Sequence, residues 1–368
     1  MPVRKPYRVG IAGPGGLGLC AIREVLRLPE LELAAVLAYS PHKDGVDAGE
    51  LAGVGPTGVI ATTDLDTFLA ADIECVLHCG RDFGDWRTDD EILRMLKRGV
   101  NVVTMLPYHF LRSRGDEVEA RFRAAAERGG ATLHGSGITP GFFNERFALA
   151  ATGLVNDVTH IRFAEFFNIA PVEGGGDMLR MFGFGSPKAD VEGSDFAAQM
   201  AEAYLRQPIL FYADRLGIPV DRIERTARLA ETPVPLSEPV MAVEAGTVGL
   251  VSYAWTGYSG GKPFYTTEVY WYLGESMRPQ ECPVNDFWLI EIEGRPSLRI
   301  TVAGQASYRD DVYVKPEEPT PPGYIMTVVA MLQAVPGVIA AAPGLLQPAL
   351  PQFHWKPDMR DAAPVEGR

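Results

Sequence analysis

Apolar positions in the first 135 residues come in short runs separated by amphipathic stretches. A buried strand is expected from residue 7, then a helix over 20–28 and a Leu-, Ala- and Val-rich strand over 31–39. A short apolar strand follows at 73–78. Residues 89–98 predict an amphipathic helix with Ile92, Leu93 and Leu96 on one side, ended by Gly99. Residues 101–104 read as a strand, 114–128 as a charged helix closed by Gly129-Gly130, and 131–134 as a further strand. Strands alternating with helices imply a parallel sheet covered on both faces. Such sheets bind ligands beyond the carboxyl ends of their strands. That rule gathers residues 78–81, 104–109 and 135–141 around one crevice.

The pattern changes after Gly141. A strand is expected over 159–168, and a long helical region over 194–216, with Met200, Ala203, Tyr204 and Leu205 among its apolar positions and Pro208 interrupting it. Long β stretches follow at 240–256, 263–273, 287–293 and 298–303. Gly260-Gly261 is a hairpin turn signal between the first two. Residues 174–188 read as a glycine-rich loop, either closing over the site or making a surface excursion. An apolar helix over 324–335 precedes Pro336 and is expected to return to the first domain; the end of the chain, from 358, should fray. The expected class is α/β: a dinucleotide-binding domain over 1–141, an α+β domain on a largely antiparallel sheet over 142–322, and a helix and tail over 323–368.

The first strand runs directly into Gly13-Pro14-Gly15-Gly16-Leu17-Gly18. Gly13 would allow a tight turn, and Gly15 would let the backbone approach a diphosphate held at the positive end of the next helix. Gly18 would let that helix pack close to the strand. At the end of the second strand, a site for NAD would place an acidic residue on the ribose 2′-hydroxyl. Ser40-Pro41-His42-Lys43 stands there instead. Ser40, His42 and Lys43 could bind a 2′-phosphate, so NADP(H) is favoured and NAD(H) stays open. His78, Gly80, Arg81, Thr104, Leu106 and Gly137 complete the expected coenzyme crevice.

The 368 residues suffice for two domains with their own cores. A formal charge of −13 argues against a nucleic-acid partner. No apolar run reads as a membrane span and no signal peptide is visible, so a cytoplasmic protein without a membrane partner is expected. Cys20, Cys75, Cys79 and Cys282 lack ligand spacing, and the six histidines form no helical pair. Reduced thiols and no metal site are therefore expected.

Taken in order, several segments resemble the 4-hydroxy-tetrahydrodipicolinate reductase-like dehydrogenases, and more closely the branch with 2,4-diaminopentanoate dehydrogenase and the native NAD(P)H-dependent amine dehydrogenases. They are the glycine segment, Gly49-Glu50-Leu51-Ala52-Gly53, Asn101-Val102-Val103-Thr104, Gly135-Ser136-Gly137-Ile138-Thr139-Pro140-Gly141-Phe142, Ile292-Glu293-Gly294-Arg295-Pro296-Ser297-Leu298, and Ala334-Val335-Pro336 with Ala342-Pro343-Gly344-Leu345. The resemblance implies a Rossmann domain, a C-terminal α+β domain that forms a homodimer, and hydride transfer at a C=N carbon.

In the amine dehydrogenases a glutamate follows the strand matched by 101–104. Here that slot falls at or near Pro107, and Met105-Leu106-Pro107-Tyr108-His109 holds no carboxylate. Reducing a carbonyl or imine still needs a proton donor. Tyr108 and His109 lie where one belongs, Glu165 is a carboxylate on the strand entering the second domain, and Tyr258 and Tyr270 are further phenols. The aromatics Phe110, Phe142, Phe143, Phe166 and Phe167 point to a small, largely apolar substrate. Three readings stay open: an NAD(P)H-dependent oxidoreductase of a carbonyl, imine or similar unsaturated compound; an amine dehydrogenase with a relocated acid–base group; and an NADP(H)-binding sensor or scaffold without turnover.

Overall fold

The fold is taken from a computed structural model, which describes residues 5–82, 84–172, 175–193, 196–305, 307–308 and 320–347. Two compact units divide the described residues: one runs up to Gly141 and takes in Tyr324–Gln347, and the other spans Phe142–Gly323. The expected fraying from residue 358 lies outside the described residues.

The first unit runs β1 (Tyr7–Ala12), α1 (Gly16–Arg27), β2 (Leu31–Leu37), α2 (Ala48–Ala52), β3 (Ala61–Thr62), α3 (Leu65–Ala70), β4 (Cys75–His78), α4 (Asp89–Lys97), β5 (Asn101–Thr104), α5 (Asp116–Gly129) and β6 (Thr132–Gly135). The second unit contains α6 (Ala148–Ala151), β7 (Asn156–Asn168), α7 (Gly176–Met181), α8 (Lys188–Glu192), α9 (Phe196–Leu216), β8 (Arg222–Glu231), β9 (Leu236–Ser237), β10 (Ala242–Val243), β11 (Val248–Ser259), β12 (Lys262–Tyr272), β13 (Phe287–Arg295) and β14 (Leu298–Ala303). The helix α10 (Pro322–Ala340), from Tyr324 onward, and the short strand β15 (Gly344–Leu345) then complete the first unit.

The sheet of the first unit has the order β15-β6-β5-β4-β1-β2-β3, and every neighbouring pair is parallel. Register aligns Leu37, Ala12, His78, Thr104 and Gly135 in one row at the carboxyl ends. Continuous apolar runs fit strands covered on both faces. The core joins Val9, Ile11, Ile22, Val25, Leu77 and Val103 to Val328, Met331, Leu332, Val335 and Val338 of α10. Each fully buried side chain of this size contributes about 1.5–3 kcal/mol, so the stripe on α10 fastens the C-terminal segment to the sheet.

The helix α10 corrects two expectations. It continues through Pro336 to Ala340. By length and composition it is also apolar enough to cross a membrane, although no such run was expected. A third of that apolar window is buried, as a stripe within the core of the first unit.

In the second unit six strands take the order β14-β13-β7-β12-β11-β8. Most pairs are antiparallel, but β7 and β12 run parallel at the centre. Gly260 and Gly261 both have positive φ and make the β11–β12 turn. The strand β8 was not foreseen, because Arg222, Glu224, Arg225 and Arg228 hide its period; as an edge strand paired only with β11 it tolerates such polarity. The expected strand over 240–256 is divided into β10 and β11. The expected loop at 174–188 carries α7. The helix α9 is not interrupted at Pro208. Burial of Ile209, Phe211 and Tyr212 just beyond it offsets the roughly 3 kcal/mol that an internal proline costs.

Candidate functional site

The turn from β1 to α1 is built by its glycines. Gly13 has φ 85°, a region closed to most side chains, and a Cβ there would lie 2.8 Å from the Gly80 nitrogen. The Gly13 amide donates to Leu37 O at 2.9 Å, which ties the turn to β2. A Cβ on Gly15 would meet nothing within 4 Å. Gly16 and Leu17 open α1, four residues before the helix start expected from the pattern. The N-cap of α1 makes no side-chain hydrogen bond and its first turn holds no acidic residue, whereas the first turns of α2, α3, α4 and α5 all do. The Gly15 amide donates to Gly13 O at 2.8 Å. Among the described residues no side chain caps the first turn of α1, and its dipole faces the open space beside Gly15, the electrostatics that suit a phosphate.

That space is a cleft of about 520 Å³ lined by Gly13, Pro14, Gly15, Tyr39, Ser40, Lys43, Cys79, Gly80, Arg81, Arg87, Thr88 and Glu91. Lys43 Nζ donates to Pro14 O at 2.5 Å. Burial, and then the nearby positive charge of Arg81, lower the Lys43 pKa. Both cations line the cleft, and an anion bound there would relieve their repulsion. His42 is exposed and does not line the cleft.

Beneath the cleft floor lie residues that the sequence placed on the coenzyme itself. His78 is wholly buried, with Nε2 2.9 Å from Glu91 Oε1 and 3.4 Å from Tyr39 Oη. Thr104 is also wholly buried; its Oγ1 donates to His78 O at 3.3 Å and accepts from the Leu106 amide at 3.1 Å. Leu106 is buried as well. Neither His78, Thr104 nor Leu106 lines this cleft. Gly137 has φ 114°, and a Cβ on it would sit 3.5 Å from Thr327 of α10.

Tyr108 does not present a free phenol. Its hydroxyl donates to Asp89 Oδ1 at 2.7 Å and lies 2.8 Å from Thr88 Oγ1, while its ring packs edge-on against Trp86 and Phe122. Burial first, and the Asp89 carboxylate after it, hold the phenol well above its ordinary pKa. The same Asp89 accepts from Arg114 at 3.0 and 2.7 Å and from Arg121 at 3.0 Å. His109 is buried against glycine backbone: a Cβ on Gly135 would lie 2.6 Å from its Cγ, and one on Gly141 would lie 3.0 Å from its Cε1. The segment between β5 and α5 thus offers two buried, packed groups around Pro107 and no carboxylate before Asp116.

Glu165 lies in the second unit on β7, directly opposite Trp288 of β13, whose indole donates to its Oε2 at 2.9 Å. Phe143 packs on Trp288 with centroids 4.9 Å apart. On the same face, Asp286 is 4% exposed and accepts from the Gly323 amide at 3.1 Å. Burial raises its pKa to about 6, with the Glu165 charge adding to the rise. Asn168 is a turn former, accepting from the Ala170 and Gly274 amides. Tyr258 lies under Arg222, and Tyr270 donates to Glu268 at 2.7 Å.

Sequence reasoning missed Tyr39, Arg87, Thr88 and Glu91 in the cleft wall. A signal was present, since Thr88-Asp89-Asp90-Glu91 before Ile92 has the spacing of a capping box. The structure uses it otherwise. Thr88 makes no cap bond and its hydroxyl turns to Asp82 at 2.7 Å, while Glu91 turns to Tyr39 and His78. Among the described residues no group of His, Cys, Asp and Glu could hold a metal ion.

No protein-family model matches the chain. An amine dehydrogenase from Streptomyces virginiae is 29% identical over 346 residues, covering 90% of this chain and 92% of that protein. The structure of an amine dehydrogenase from Mycobacterium smegmatis superposes with a TM-score of 0.78 at 20% identity, covering 95% of this chain and 98% of that one. The expected resemblance is therefore found along nearly the full length. The chain is similar to amine dehydrogenase over nearly its whole length, and it shares that fold: a parallel Rossmann-type sheet followed by a mixed, mostly antiparallel one.

Proposed function

We propose that this protein is an NADP(H)-dependent oxidoreductase that transfers hydride to or from a small carbonyl, imine or similar unsaturated compound. One observation carries the coenzyme reading. The bare first turn of α1, opened by the missing side chain of Gly15, faces a cleft whose far wall holds Lys43 and Arg81. The amides at Gly16 and Leu17 would hold the diphosphate, approached over the bare Cα of Gly15, and Ser40, Lys43 and Arg81 the 2′-phosphate. The bound nicotinamide would supply the hydride; the protein orients it and manages one proton. Homology to amine dehydrogenase supports the oxidoreductase class. Titration with NADPH and NADH, followed by coenzyme fluorescence, tests this reading: tighter binding of NADPH is expected, and equal affinity would refute the phosphate assignment.

One variant of this reading is reductive amination with its acid–base group away from the 105–109 segment, which holds no carboxylate. Its support is the likeness to an amine dehydrogenase over 90% of the chain. Oxidation of NADPH by a ketone should then depend on ammonia. A rate that is the same with and without ammonia would return the protein to carbonyl reduction.

A further inference from the structure

We propose that Glu91 reads the 6-amino group of the coenzyme's adenine, so that the cleft selects adenine over a 6-oxopurine; this rests on the dinucleotide reading above.

A dinucleotide laid with its diphosphate on Gly13–Gly16 runs along the carboxyl ends of the strands towards the end of β2, where Tyr39, Ser40 and Lys43 stand. Beyond the ribose the cleft continues between Gly80-Arg81 and the first turn of α4, where it is walled by Thr88 and Glu91. The purine must occupy this end. Its hydrogen-bonding edge meets whatever polar atoms remain uncommitted there.

Glu91 is the group with capacity to spare. Its Oε1 accepts from Tyr39 Oη at 2.6 Å and lies 2.9 Å from His78 Nε2. Among the described residues its Oε2 accepts nothing, and 18% of the side chain stays open to the cleft. His78, wholly buried, fixes the carboxylate from below. Tyr39 fixes it from the side, and the close approach of both to Gly80 leaves no space for a Cβ, which would lie 2.8 Å from His78 and 3.0 Å from Tyr39. The neighbouring Thr88 hydroxyl is already committed to Asp82 and Tyr108. The result is an oriented anionic acceptor with one open oxygen at the purine end. A carboxylate accepts only. It matches the amino group of adenine and repels the carbonyl oxygen of hypoxanthine at the same ring position.

The test is a fluorescence titration of the purified full-length protein with NADPH and with reduced nicotinamide hypoxanthine dinucleotide phosphate, on wild type and on Glu91→Gln. Exchanging a charge-assisted hydrogen bond for repulsion should cost the wild type about tenfold or more in affinity for the hypoxanthine coenzyme. In Glu91→Gln, whose amide can also donate to a carbonyl oxygen, the two affinities should come within about threefold. Equal affinities in the wild type would overturn the proposal, and so would a variant that keeps the preference. A variant that alters only the NADPH to NADH ratio would also overturn it, by assigning the carboxylate to the ribose. If the wild type binds neither reduced coenzyme, the dinucleotide reading itself fails and this inference falls with it.

Discussion

Gly18 leans directly on Gly13: a Cβ on Gly18 would sit 2.1 Å from the Gly13 carbonyl oxygen. That clash is with backbone, so it cannot be relieved by rotating a side chain. Gly15, between them, has open space where its Cβ would go. The two positions therefore separate packing from ligand approach.

Gly18→Ala is expected to destabilise the first unit by about 1–3 kcal/mol or more, as over-packing of a closed contact does. Thermal unfolding would show a lowered midpoint without coenzyme. Gly15→Ala should unfold at nearly the wild-type temperature and bind NADPH at least about tenfold more weakly, because the methyl occupies the approach of the diphosphate. A normal NADPH affinity in Gly15→Ala would refute the placement of the diphosphate.

Lys43 and Arg81 repel one another when the cleft holds no anion, and a 2′-phosphate relieves that repulsion. Lys43→Ala should weaken NADPH by about tenfold, the worth of a charge-assisted contact, and leave NADH nearly unchanged. Isothermal calorimetry with both coenzymes checks this. Equal losses for the two would assign Lys43 to the turn it makes with Pro14 O instead.

Tyr108 pairs a strand-end position with a phenol that is already held. It lies just past β5, where a proton donor is expected, yet its hydroxyl is held by Asp89 and Thr88. Tyr108→Phe should lower stability by about 0.5–1.5 kcal/mol, the net worth of such a bond. Turnover at saturating coenzyme should stay within about threefold of wild type. A large fall in kcat with unchanged stability would restore the catalytic assignment.

What the sequence made legible was whatever local pattern decides. The period of apolar residues located β1, β4, β5 and α4, and the spacing of Gly13, Gly15 and Gly18 located the turn. What it hid was decided at a distance. The strand β8 is polar because only its pairing with β11 makes it a strand. The continuity of α9 and α10 through Pro208 and Pro336 depends on burial that no local rule counts. Glu91 had a ready local use in a capping box, and only the tertiary approach of Tyr39 and His78 diverts it to the cleft.

Two buried carboxyls should respond to pH with opposite signs. Asp47, at the start of α2, accepts from the amides of Gly49, Thr57 and Gly58 and from the Thr57 hydroxyl. These bonds, led by that of the Thr57 amide, lower its pKa from 3.8 to about 2 despite the opposing effect of burial. A depressed folded pKa means stability that is present above the unfolded value and lost as pH falls from about 4 towards 2. Asp47→Asn should therefore be clearly less stable than wild type at pH 6, with the gap narrowing as pH drops through that window.

Asp286 runs the other way. Its pKa is raised from 3.8 to about 6, mainly by burial. The folded state then holds the proton more tightly than the unfolded chain, so the contribution is full below about 3.8 and lost as pH rises through about 6. Asp286→Asn carries no ionisation and its amide oxygen can still accept from the Gly323 amide. It should gain on the wild type as pH rises from 4 to 7, the reverse of the Asp47→Asn profile. Calorimetric unfolding of both variants across pH 3 to 7 measures the two slopes together. Parallel slopes would show that Asp286 is ionised throughout, and would remove it as the group poised to give or take a proton near neutrality.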